Sequence, residues 1–148
     1  MRTSLRFLSP ILLLCLPMMA TDPIYGVWRM REDPQNPAMK RQEMKVEEVS
    51  GGTKFSFDVV MAKSKFSYFY VTRLDGEAVD AIMKKKPFSK VKVKKISPVA
   101  YETTVTDLTT EQHYTSTISK DGKTLTNEGT GQANGQPLVV HVVFDRVQ

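Results

Sequence analysis

The residues in this chain that could carry chemistry are few: two histidines, scattered carboxylates and many hydroxyls. His113 lies among Glu111, Gln112 and Tyr114, and on an alternating strand it shares a face with Glu111 and Thr115. His141 is flanked by Val139 and Val143, with Val140 and Val142 on the opposite face. Neighbouring strands could gather both histidines and Glu111 around a zinc ion, for which imidazole and carboxylate are usual ligands. No His-x-His or His-Glu-x-x-His pattern is present, and surface or hydrogen-bonded histidines are the plainer reading. For hydrolysis the chain offers Asp58, Glu102 and Asp107 beside its Ser and Thr residues. It has no Gly-x-Ser-x-Gly and no Gly-rich phosphate loop. Gly51-Gly52 and Gly129-Thr130-Gly131 read as turn and bulge glycines instead. With no acid and base set apart as a pair, the reading leans away from an enzyme, and no catalytic residue, metal or cofactor is assigned.

Two other groups of residues are denser. Lys84, Lys85, Lys86, Lys90, Lys92, Lys94 and Lys95 form a basic cluster, with Lys92 and Lys94 on one strand face opposite Val91 and Val93. Such a face suits an anionic polymer or lipid headgroup; equally, it suits a solvated wall that guards a strand against edge pairing. The aromatics Phe55, Phe57, Phe66, Tyr68, Tyr70, Tyr101 and Tyr114 fall on strand-like stretches with like-facing partners. If those strands curl into a barrel, one set faces inward and either fills the interior or edges a cavity with hydroxyl groups. The candidate cavity residues are Phe57, Val59, Tyr68, Tyr70, Tyr101 and Tyr114.

The elements that must position these side chains are strands. Residues 111–119, 123–130 and 138–146 alternate apolar and polar types and are separated by Asp121-Gly122 and Asn134-Gly135. In the last of them Leu138, Val140, Val142 and Phe144 share a face. Upstream, residues 25–31, 42–49, 54–61, 65–74, 91–96 and 100–108 repeat the pattern, with turns expected at Ser50-Gly51-Gly52, Asp75-Gly76 and Ser97-Pro98. Residues 32–39 contain two prolines and form a loop. Residues 77–90 break the pattern: good helix formers with Val79, Ile82 and Met83 near helical spacing predict a short helix or an ordered loop, stopped at Pro87. About nine strands in consecutive hairpins, with no long crossover, predict an all-β up-and-down antiparallel barrel of about 8–10 strands.

The chain has 148 residues, and its first stretch reads as a leader. Arg2 and Arg6 precede an apolar run at 7–16, and Met18-Met19-Ala20 supplies a small residue for cleavage after position 20. The run is shorter than the roughly 20 apolar residues a membrane span needs. The expected product is exported, periplasmic or extracellular, with residues 21–148 as one barrel domain. Cys15, preceded by Leu14, belongs to the apolar run rather than to a lipid anchor, so the mature chain has no thiol and must rest on a hydrophobic core. Cleavage takes Lys+Arg from 21 to 19 against 16 Asp+Glu, a formal charge of +3. That mild excess does not suggest a nucleic-acid partner.

Gly26-Val27-Trp28 at the start of the first strand matches the Gly-x-Trp signature of lipocalins and other calycin barrels. With Lys63-Ser64-Lys65-Phe66, the stretch Ser119-Lys120-Asp121-Gly122-Lys123-Thr124-Leu125-Thr126 and Gly135-Gln136-Pro137, the chain resembles a largely uncharacterised family of small exported bacterial lipocalin-like proteins. The resemblance implies a barrel and an export route, and no activity. It also implies that the signature Trp28 is covered by an arginine from late in the chain, for which Arg146 is in place. The expected function is non-catalytic binding of a small, partly apolar molecule. The alternative is a cell-envelope interaction module that presents Lys84, Lys85, Lys86, Lys92 and Lys94 to an anionic partner.

Overall fold

A computed structural model describes residues 21–32 and 36–148; the leader expected at 1–20, with Cys15, lies outside the described residues. Alternation and turn chemistry produce ten strands: β1 (Gly26–Met30), β2 (Met39–Val49), β3 (Gly52–Met61), β4 (Lys65–Thr72) and β5 (Asp75–Met83), followed by β6 (Lys86–Ser97), β7 (Ala100–Thr106), β8 (Thr110–Ile118), β9 (Thr124–Ala133) and β10 (Gln136–Arg146). Each strand pairs antiparallel with its sequence neighbour, and β10 returns to β1 to close the barrel. Closure runs through Trp28↔Arg146, Arg29↔Asp145 and Met30↔Phe144, so neither terminal strand is left as an open edge. This is the up-and-down meander that the hairpin pattern predicts.

Period-two patterning decides which side chains fill the interior. On β3, Thr53, Phe55, Phe57 and Val59 are buried while the residues between them are less so. On β6, Ser89, Val91 and Val93 are buried between exposed Lys90, Lys92 and Lys94. The inner faces join one core that includes Trp28, Met44, Phe55, Tyr70, Tyr101, Leu125 and Phe144.

Three expectations are corrected. Residues 77–90 are neither helix nor loop: they supply most of β5 and the start of β6. Val79 and Ala81 alternate toward the core, with Ala81 fully buried. Leaving this segment out of the sheet would expose an edge on both β4 and β6, and that tertiary demand outweighs local helix propensity. Asp75-Gly76 is not the turn: the chain reverses at Arg73 and Leu74, where Leu74 has φ 60°. Gly76, at φ 89°, sits in the register shift between Asp75 and Ala78. Gly129 and Gly131 are not bulge residues either, because β9 keeps continuous register with both β8 and β10. They are glycine because β8 passes too close: a Cβ on Gly129 would lie 2.0 Å from the His113 carbonyl oxygen, and one on Gly131 2.1 Å from that of Glu111.

One end of the barrel is plugged by the segment that precedes β1. Ile24 is buried beneath the core, and its carbonyl accepts a 2.9 Å hydrogen bond from the Trp28 indole Nε1. Asp22 accepts from the Tyr101 hydroxyl at 2.5 Å and from the Ile24 N–H at 3.1 Å, and it pairs with Lys95. The opposite end carries the hairpin tips between β3 and β4, β5 and β6, β7 and β8, and β9 and β10.

Candidate ligand cavity

Inside the barrel is a cavity of about 400 Å³. Its most ordered wall is an aromatic ladder across β3 and β4, set by the register pairs Phe55↔Tyr70, Phe57↔Tyr68 and Val59↔Phe66. Phe57 and Tyr68 stack with centroids 4.5 Å apart at 9°, and Phe55 and Tyr70 stack at 5.0 Å and 19°. Phe88 of β6 meets Tyr68 edge-on at 5.4 Å and 79°. Cross-strand aromatic pairs in offset or edge geometry hold both the sheet and the rings in place.

All six sequence-selected residues line this space: Phe57, Val59, Tyr68, Tyr70, Tyr101 and Tyr114. Their hydroxyl groups differ in use. Tyr101 donates to Asp22 and thereby ties the floor to the end plug. Burial pushes the Tyr114 phenol up to about 12, with Thr103 opposing the rise. Burial also raises the phenols of Tyr68 and Tyr70. All of them therefore remain neutral donors at any ordinary pH, and no intramolecular hydrogen bond among the described residues engages the hydroxyls of Tyr68 and Tyr70.

Sequence reasoning missed other lining residues. Ile24 contributes from outside the strands, and Asn127 follows Leu125 along the inner face of β9. The Asn127 Oδ1 is buried without a hydrogen-bond partner, an acceptor of the kind that normally finds one. Alternation from Leu125 was the available signal, but polar Asn127 broke the apolar pattern. Asp107 is the one Asp, Glu, Lys, Arg or His in the lining, and its Oδ1 is occupied by the N–H groups of Thr109 and Thr110, each at 2.8 Å.

The closure pair sits below the cavity. The Arg146 guanidinium lies over the fully buried Trp28 ring, 4.1 Å from its centroid. It also donates to the carbonyls of Gly122 and Tyr25, both at 2.7 Å, and to that of Pro23.

The lysines divide. Lys84 and Lys85 form the β5–β6 turn and Lys86 opens β6, all exposed and without an ion pair among the described residues. Lys92 and Lys94 project from the outer wall of β6, where Lys94 stands opposite Glu102 on β7 and Asp75 on β5. The neighbouring Lys90 pairs with Asp80 at 2.6 Å. The tip and the wall are thus two different basic surfaces.

His113 contacts Glu111 at 2.8 Å and Thr104 at 3.0 Å on the outer surface, while His141 faces Glu128 at 3.4 Å. The histidines lie on β8 and β10 with β9 between them, each beside its own carboxylate. Among the described residues no group of three or more His, Cys, Asp or Glu side chains is placed to hold a metal ion. No protein-family model matches the chain, and no curated protein matches it.

Proposed function

We propose that the protein binds a small, partly apolar molecule inside the barrel, without catalysis, after export to the periplasm or beyond the cell. The observation that carries this reading is the cavity itself. Its volume of about 400 Å³ is in the range that small-molecule sites occupy. Its walls are mostly aromatic and aliphatic, and the neutral Tyr68 and Tyr70 hydroxyls stand without internal partners. A core built only for stability would fill such a space and satisfy such groups. The lipocalin-like resemblance of the Gly26-Val27-Trp28 strand is compatible with the same role.

An apolar fluorescent probe titrated into the mature chain should saturate at one site per molecule. Tyr70→Ala and Phe57→Ala should weaken that binding, because each breaks the stacked wall. A folded protein that shows no saturable uptake would move the function to the outer surface, as an envelope interaction module using its lysines.

A further inference from the structure

We infer that the cavity takes an anionic amphiphile with its tail inward and its charged head at the mouth, against the lysines of the β5–β6 tip. This deepens the binding role proposed above and rests on it.

The interior argues first. Among the lining residues there is no lysine, arginine or histidine, and the one acidic side chain, Asp107, is committed through its Oδ1 to its own turn. A carboxylate or phosphate drawn into that space would lose its water without gaining a cation, at a prohibitive cost. An anionic head is therefore excluded from the depth of the barrel, whereas an acyl chain suits Phe57, Val59, Phe66 and Phe88.

The mouth argues second. The residues that line the upper cavity on this side adjoin basic residues in sequence: Met39 precedes Lys40 and Arg41, Phe66 follows Lys65, and Phe88 follows Lys86-Pro87. With Lys63 in the β3–β4 turn and Lys84 and Lys85 in the β5–β6 turn, basic side chains run along the rim from β2 to β6. The opposite rim carries Asp107 and Glu111. The mouth is thus polarised, and an anion is drawn to one side of it.

The turn argues third. Lys84 and Lys85 adopt φ 50° and 65°, a left-handed conformation at both central positions of the hairpin. Such turns suit Asn-Gly, and the barrel uses that pair at the β9–β10 tip, where Asn134 and Gly135 have φ 50° and 75°. Two lysines held in this backbone state are strained, and strain of this kind clusters at functional sites.

The test compares parinaric acid, a fluorescent long-chain carboxylate, with its uncharged methyl ester on the mature protein. The acid should bind tighter, and raised salt should narrow the gap. Lys84→Asn/Lys85→Gly removes two mouth charges while improving the turn, so loss of folding does not confound it. It should weaken the acid roughly fivefold, on the order of 1 kcal/mol, and leave the ester unchanged. The control Lys92→Gln/Lys94→Gln removes two charges from the outer wall and should leave both ligands nearly unchanged. Equal affinity for acid and ester would overturn the inference while the binding role stands. So would a preference for the acid that ignores the mouth variant, which places the head inside, or equal losses in the mouth and wall variants, which makes the effect one of net charge. Failure of both ligands to bind the folded protein would instead remove the binding role itself.

Discussion

Gly26, Trp28 and Arg146 explain one another at the level of single side chains. A Cβ on Gly26 would fall 2.5 Å from the Arg146 guanidinium and 2.5 Å from the Gln148 carbonyl oxygen, and its φ of 142° is one few side chains adopt. The glycine of Gly-x-Trp is thus the space through which the arginine reaches the indole. A cation over a ring contributes about 0.5–2 kcal/mol, and hydrogen bonds from a charged donor about 1.5–3 kcal/mol each, not additively. Arg146→Ala should lower the melting temperature by several degrees and red-shift Trp28 emission; unchanged emission and stability would show that the stack contributes nothing. In a Trp28→Phe background the same substitution should still destabilise, because three carbonyls lose their donor. Asp22 adds a pH dependence. Burial opposes its ionisation, but Lys95, Tyr101 and the Ile24 N–H together hold its carboxyl below the usual 3.8. A depressed carboxylate stabilises the fold above its unfolded value and loses that contribution as pH falls through the folded one. The end plug should therefore be indifferent to pH from neutrality to about 4 and loosen below that. Thermal melts of Asp22→Asn should lack this acid-dependent component; a melt profile identical to wild type would place the acid lability elsewhere.

Among the strands, what was legible in the sequence followed period and turn chemistry. Strongly alternating stretches such as 54–61 and 138–146 became β3 and β10, and Asn134-Gly135 became the tight turn its φ values require. The inward aromatic face could be read for the same reason, since one parity of a strand must share a side. The illegible parts depended on neighbours distant in sequence. Nothing local in Glu77-Ala78-Val79-Asp80-Ala81 announces a strand; its conformation comes from lying between β4 and β6. The role of Gly129 likewise belongs to β8, whose backbone occupies the place of its missing side chain. Gly129→Ala should accordingly be severe, about 2–4 kcal/mol or loss of the folded state, because a backbone atom cannot yield as a flexible side chain can. Gly122→Ala makes a useful comparison, since no atom lies within 4 Å of its would-be Cβ and only its φ of 71° is strained. Urea unfolding of the two variants would rank them, and an equal or milder effect at Gly129 would mean that β8 can shift away. In the opposite direction, Lys84→Asn/Lys85→Gly should stabilise the barrel by about 1–3 kcal/mol, since left-handed geometry costs a lysine roughly 1–2 kcal/mol per residue.

Across the whole molecule, a closed barrel is only as continuous as its weakest seams, and here two are narrow. The β1–β10 seam has three registered pairs, yet the Arg146 stack and its carbonyl bonds span the same junction. The β4–β5 seam has one, Phe69↔Ile82, and no comparable staple among the described residues. Elsewhere pairing is long: β8 and β9 match from Thr110↔Ala133 through Ile118↔Leu125 without a shift. Backbone groups not bonded across a seam are solvated or intermittently paired, so local opening there costs less than global unfolding. The same seam joins β4, which carries Tyr68 and Tyr70, to β5, which leads into the lysine tip. Native-state amide exchange should be fastest, among the barrel strands, in residues 66–72 and 75–83 on the groups that face each other. It should be slowest across β8 and β9. A ligand that fills the cavity should slow exchange at β4–β5 more than at β8–β9, because it packs on the Tyr68 and Tyr70 wall from inside. Uniform protection around the barrel, or first opening at β1–β10, would show that the sparse pairing of β4 with β5 does not set how this barrel opens.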